Sequence, residues 1–575
     1  MAKFPKFVLM KNRLPYNSFA SHKMALLVLL SIVLFASCNS ARRSANQQAA
    51  GEKVYALTSE GEVIGKITPS GVYVFKGIPY ATAERFMAPE TAPKRHEALD
   101  CTSYGAVAPQ VIYERTESEV NWYNVEEGTN DEECLNLNIW TPDIRPGTKK
   151  PVLVYLFTGY TIGHSHELAG YDGEYMANNH NLVVVTPNHR LNSFGFLDLS
   201  FMGQKYQHSA NAGLLDLVAA LRWIKTNIAH FGGDPDNITL MGQGTGGGKV
   251  LTLLSMPQTE GLIHKAIIES GSLFKVMDSK YSRRLASITL SELGVTAENI
   301  AVLDTISHSA LREATNVAFE RVRAMAYEDG TSNAFVEDDN LIDYFGWAPS
   351  LDGVVLTEQP YIAAPRRASN IPILIGTNKH EATPSLYKMD YASMDERGRD
   401  SLVITRLGSL YSKTEEQYRI SYPRTTYSPS ELFDLDIKFR RMALNFAERR
   451  YEEGVSTPIY MYLFGYESPT EDGVFRSHHM LEIPFAMGNT TLASSMTGGT
   501  KSALALSEKM SSAWAAFCHT GSPQSPAMPQ WPAWTPESRA TMLLGRGQDS
   551  DCELVYGHDK ALLELLSRAN GALGN

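Results

Sequence analysis

The chain predicts an α/β protein, a mostly parallel central sheet flanked by helices. Three observations predict it. Residues 151–157, 181–186, 266–270 and 371–376 are apolar runs without alternation, the pattern of strands buried on both faces in a sheet covered by helices. Between Asn211 and His230, apolar residues recur at helical spacing (Leu214, Leu217, Val218, Leu221, Ile224, Ile228) and stop at Phe231-Gly232-Gly233-Asp234-Pro235, which predicts an amphipathic helix closed by a turn. The two kinds of segment alternate along the chain, as they do in α/β folds.

Taken in order, the first segment is an address. Lys3, Lys6, Lys11, Arg13 and Lys23 precede an apolar run at 24–36, which ends Leu34-Phe35-Ala36-Ser37-Cys38. A basic stretch before a run this short reads as an export signal, because a spanning helix needs ~20 apolar residues. Small residues before a cysteine resemble the cleavage box of bacterial lipoproteins, with Cys38 as the lipid-bearing first mature residue. Phe35 departs from the aliphatic residue usual there, and an ordinary signal cut near Ser37 is the alternative; Met10 or Met24 could also be the start. The expected organisation is a signal peptide over 1–38, a polar tether over 39–53 and one domain over 54–575. Such a protein would be exported and held to a bacterial membrane by its lipid.

Within the domain, alternation and turn glycines from Val54 to Ala81 predict short strands at 63–65 and 71–75. The stretches 279–344 and 393–453 read as charged helices, expected to cap the carboxyl edge of the sheet. Hydrophobic content of 43% in 575 residues supports a large core, and a formal net charge of −11 without a basic stripe excludes nucleic acid as a partner. Cys101, Cys134, Cys518 and Cys552 follow Cys38. In an exported chain Cys101–Cys134 is the first pairing to expect, with free buried thiols the equal alternative.

The densest chemistry lies at Asn237-Ile238-Thr239-Leu240-Met241-Gly242-Gln243-Gly244-Thr245-Gly246-Gly247. A β-branched run breaks into a glycine-framed turn and then an apolar helix, the layout of the nucleophile elbow G-x-S-x-G. Gly242 and Gly246 frame it, but Gly244 stands at the serine position. Without an Oγ no acyl-enzyme is expected.

Further motifs extend the pattern: Phe75-Lys76-Gly77-Ile78-Pro79-Tyr80-Ala81, Glu133-Cys134-Leu135-Asn136-Leu137-Asn138-Ile139-Trp140, Asn211-Ala212-Gly213-Leu214-Leu215-Asp216 and Phe231-Gly232-Gly233-Asp234-Pro235. With these the chain resembles the type B carboxylesterase (cholinesterase-like) family of α/β-hydrolases from about Val54 to Pro532. The resemblance implies the α/β-hydrolase fold and a Ser–Glu–His triad in chain order. Its acid falls at Glu381, in Gly376-Thr377-Asn378-Lys379-His380-Glu381-Ala382, where the family has G-x-N-x-D-E-G. Its histidine falls at His479, in His478-His479-Met480-Leu481-Glu482-Ile483-Pro484-Phe485, where the family has H-G-x-E-[IL]-P-[FY]; His478 is the register alternative. Ser270 matches a position whose hydroxyl supports the acid. The oxyanion loop, H-G-G-G in the family, reads Phe157-Thr158-Gly159-Tyr160. Gly159 and the backbone N–H of Thr245 remain as donors, while Phe157 and Tyr160 are expected to plug the pocket.

The resemblance therefore implies a scaffold that has lost both its nucleophile and its oxyanion loop. Its favoured function is binding, of an ester-like or hydrophobic small molecule or of a protein partner, as in the serine-less neuroligins. No cofactor is expected. The alternative is an ester hydrolase of altered chemistry, with water activated by His479 and Glu381 or by a metal. For the metal only a weak pair offers itself, His164 and His166, with solvent-exposed loop histidines the commoner explanation.

Overall fold

The computed structural model describes residues 50–111, 122, 129–271, 275–328, 347–382 and 393–573. The signal, Cys38 and nearly all of the tether expected from sequence lie outside these residues. Among the described residues no helix is long and apolar enough to cross a membrane.

The unalternating runs become the centre of one sheet. Its main strands are β1 (Lys53–Thr58), β2 (Gly61–Ile67), β3 (Tyr73–Pro79), β4 (Asn136–Thr141), β5 (Lys150–Leu156), β6 (Val183–Pro187), β7 (Gly233–Gln243), β8 (Lys265–Glu269), β9 (Ile373–Asn378), β10 (Ile459–Tyr466), β11 (Ala540–Gly547) and β12 (Asp549–Tyr556), with the short strand Leu99–Asp100 added beside β2. Their spatial order is β1-β2-β3-β4-β6-β5-β7-β8-β9-β10-β11-β12. From β6 to β11 every pairing is parallel, and antiparallel pairs flank that block on both sides. Every residue of β5, β6, β8 and β9 is buried, which is why these strands carry no polar face.

Register decides where chemistry can sit. Leu156 of β5 lies beside Gly242 of β7, Gly242 beside Ile268 of β8, and Ile268 beside Ile375 of β9. These strands end level, so the residues that follow each of them meet along one edge. In an open parallel sheet that edge is where ligands bind.

The helix predicted from apolar spacing is α1 (Ala212–Asn227), and the one after the glycine turn is α2 (Thr245–Ser255). Buried Asp216 of α1 accepts from Arg190 through Nε at 2.9 Å and a terminal nitrogen at 2.6 Å, fixing the helix to the loop after β6. The charged stretches are helical, as α3 (Ser279–Glu292), α4 (His308–Glu328), α5 (Glu396–Leu407), α6 (Tyr411–Ser421) and α7 (Lys438–Glu452). Residues 329–344 of the first stretch lie outside the described residues. His308 and Arg312 of α4 share a cavity of about 120 Å³ with Thr161 and Ile162, placing that helix beside the oxyanion loop. The four cysteines are free thiols, so the expected Cys101–Cys134 bond does not form. Both are core side chains, and burial holds the Cys101 thiol up at about 12.

Candidate active site

Gly244 links β7 to α2 at φ 57° and ψ −125°. This left-handed backbone suits glycine. The framing glycines are needed for close approach: a Cβ on Gly242 would fall 2.5 Å from Gly246, and one on Gly246 2.3 Å from the Leu156 carbonyl oxygen. A Cβ on Gly244 would meet His479 Nε2 at 2.7 Å and Thr158 Oγ1 at 2.8 Å. The imidazole thus crowds the space a serine side chain would need.

The oxyanion loop is filled from within. Thr158 Oγ1 donates to the Gln243 carbonyl at 2.8 Å, and the Gly159 N–H donates to Thr245 Oγ1. The donor that a carbonyl oxygen would require is bonded to the hydroxyl one residue beyond the elbow. Gly159 itself has φ 94°, and a Cβ there would strike the Ile162 carbonyl oxygen.

Phe157 and Tyr160 are not the plug that their sequence position suggested. Both are buried: Phe157 stacks on His189 at 5.0 Å, and Tyr160 packs edge-on against Phe196 at 5.2 Å. Lys249 of α2, invisible as a functional residue in the sequence reading, holds them. Its buried Nζ donates to the Phe157 carbonyl at 2.8 Å and lies 4.0 Å above the Phe157 ring. Burial pulls this ammonium well below its ordinary pKa, against the opposing pull of Glu167. The hydroxyls of Thr158 and Thr245 do the filling, and two threonines in a glycine-rich motif were the sequence signal for it.

The second half of the site is fully wired. His479 Nδ1 lies 2.5 Å from Glu381 Oε2, and the Asn378 N–H donates to Glu381 Oε1 at 2.8 Å. The His479 N–H also donates to the Glu381 carbonyl at 2.9 Å. His478 turns elsewhere, buried and stacked on Trp122 at 4.5 Å, where burial lowers its pKa to about 4. Ser270 does not reach Glu381: its hydroxyl donates to Glu482 Oε1 at 3.1 Å, while Asn378 Nδ2 donates to Glu482 Oε2 at 2.6 Å. Buried Glu482 and half-buried Asp436 thus join the cluster, each carboxyl raised to about 7 by desolvation and then by the neighbouring Glu381. Burial alone would lower His479, but Glu381, with Glu482 and Asp436 behind it, outweighs that and the net shift is upward. Met480, where the family motif has glycine, sits at φ 75°, a strained backbone for a side chain of its kind.

His164 and His166 are buried, not exposed loop residues. His166 stacks on Tyr104 at 4.0 Å and lies 4.2 Å from His164, and burial drives it down to about 3. Among the described residues, the trio near enough to share an ion is His380, Glu431 and Glu467, which does not include that pair. A cation is already there: Lys379 Nζ lies 2.7 Å from Glu431, with Arg476 on the same carboxylate.

A doubly flanked, mostly parallel sheet with an elbow, an oxyanion loop and an acid–histidine pair along one edge defines an α/β-hydrolase of the esterase type. The chain belongs to the carboxylesterase family, whose model matches residues 52–557. It is 34% identical over 510 residues to the para-nitrobenzyl esterase of Bacillus subtilis (strain 168), covering 87% of this chain and 96% of that protein. Liver carboxylesterase 1 of Oryctolagus cuniculus is 28% identical over 510 residues, covering 83% and 87%. An esterase from Clostridium hathewayi, described as hydrolysing aliphatic aromatic polyesters, superimposes with a TM-score of 0.78 at 32% identity, over 90% of this chain and 99% of that one.

Proposed function

We propose that this carboxylesterase-family chain has left serine-dependent ester hydrolysis and acts as a binding protein for an ester-like or hydrophobic small molecule or a protein partner. The observation that carries this reading is the paired change at the elbow: Gly244 offers no Oγ, and the Gly159 N–H is bonded to Thr245. Removing one oxyanion donor alone raises the barrier by ~2.7–4 kcal/mol. The para-nitrobenzyl esterase name of a relative suggests esters of benzylic alcohols as the shape such a pocket would receive. The test is a fluorophosphonate probe with an unactivated alkyl ester beside it. No serine should be labelled and the alkyl ester should persist; a labelled serine overturns the reading.

A second reading, water activated by His479 and Glu381, is favoured by their 2.5 Å contact. Alkyl-ester turnover that His479→Ala abolishes would install it. The proposal extends to location, an exported protein anchored through lipid on Cys38, supported by the basic, apolar and small-residue succession before it. Cys38→Ala should release the chain from membranes, and continued membrane association would reject the anchor.

A further inference from the structure

One reactive atom is left without a task at the elbow. The His479 side chain is 32% exposed, so its ring faces open space. Its Nδ1 is held by Glu381, which accepts the proton there and leaves the lone pair on Nε2. Among the described residues nothing hydrogen-bonds Nε2. That nitrogen sits against the elbow, 2.7 Å from where the Cβ of residue 244 would be. Other reactive groups fail this test: Lys249 is sealed in the core, and Glu431 is occupied by Lys379 and Arg476.

We propose that His479 Nε2 is itself an acyl acceptor, taking the acyl group from activated donors such as aryl esters and acyl phosphates. The inference goes beyond the binding function and rests on it only in requiring that no serine intercept the acyl group. The Nε2 lone pair attacks the carbonyl carbon, a C–N bond forms, and the aryloxide leaves with the electrons of the C–O bond. The positive charge on the acylated ring is held by Glu381 through the Nδ1 proton. Water then adds to the acyl carbon and gives up a proton to solvent, the C–N bond electrons return to Nε2, and the carboxylic acid departs. The sum is ester plus water to acid plus phenol.

Donor class follows from the filled oxyanion loop. With the Gly159 N–H bonded to Thr245, the tetrahedral adduct gains little stabilisation and must collapse quickly. A para-nitrophenolate or a phosphate, whose conjugate acid is about as acidic as an imidazolium, competes with imidazole for departure and the reaction proceeds. An alkoxide does not, and the adduct falls back to ester. Only the neutral ring attacks, so acylation rises with pH as His479 loses its proton.

The test uses the full chain with para-nitrophenyl acetate, quenched in acid and mapped by peptide mass spectrometry. A single acetyl group on His479, removable by hydroxylamine, and one equivalent of early nitrophenolate are expected. His479→Ala and His479→Gln should lose both in a chain that still unfolds cooperatively, at a melting temperature lowered by the lost partner of Glu381. Glu381→Gln should slow acylation at least ~100-fold, because nothing then fixes the proton on Nδ1. Nitrophenolate release without an adduct overturns the proposal, since that is general-base catalysis on water. An adduct on any other side chain, or one that survives His479→Gln, also overturns it. A fluorophosphonate-labelled serine would sink the binding function as well, whereas a missing adduct sinks only the histidine.

Discussion

The two halves of the site share one sheet edge and are furnished in opposite ways. On the elbow half, at the ends of β5 and β7, residue 244 carries no side-chain oxygen and threonine hydroxyls bond within the site, Thr158 to Gln243 and Thr245 to Gly159. On the acid half, after β9 and β10, Glu381, His479, Asn378 and Glu482 keep a continuous set of hydrogen bonds. The difference lies in what each group touches. A serine Oγ at an elbow meets mainly substrate, so its loss strands nothing. A buried carboxylate that loses its partners, or leaves them behind, costs far more. Persistence of Glu381 and His479 is therefore what folding alone would select, and is no sign of turnover by itself.

The sharpest way to break this comparison is to damage the quieter half. Glu381→Ala leaves the Asn378 N–H and His479 without their acceptor and should cost about 3–5 kcal/mol in denaturant unfolding. A loss no larger than a surface substitution would mean that the acid half is not structural. Gly244→Ser comes next, at about 1–3 kcal/mol, from positive φ and the contacts with His479 and Thr158. An unchanged or raised melting temperature would show that the elbow has not closed around its glycine.

The third effect is one of pH. Carboxyls raised in the folded state lend stability that is full below their unfolded range and lost as pH rises through their folded values. For Glu482 and Asp436 that window closes at about 7, and the raised His479 acts in the same sense. Glu482→Gln should gain melting temperature relative to the parent as pH rises from mildly acidic to mildly alkaline buffer, and a difference that does not change with pH contradicts the arrangement. Smallest is Thr245→Ala, about 1 kcal/mol or less, because it removes a single hydrogen bond at a half-open position. Amide exchange at Gly159 should quicken in that variant, and an unchanged rate would deny the contact.

Much of this was legible before any coordinates. Strands buried on both faces announce themselves as unbroken apolar runs, and the elbow by its glycine frame. What escaped depends on partners far away in sequence. The aromatic run that forms β10 and the β11–β12 hairpin take their character from neighbours, not from local alternation. Phe157 and Tyr160 looked like plugs because a side chain's direction off a loop is set by what it packs against, here His189, Lys249 and Phe196. Burial of His164 and His166, and the turn of Ser270 toward Glu482, are tertiary facts of the same kind.

The bond from Gly159 to Thr245 also bears on engineering. A hydroxyl placed at residue 244 by a single substitution would find the Gly159 N–H already engaged and the His479 ring close to its Cβ. An acyl-serine design on this scaffold therefore has to free that donor and make room for the imidazole in the same step as it supplies the oxygen.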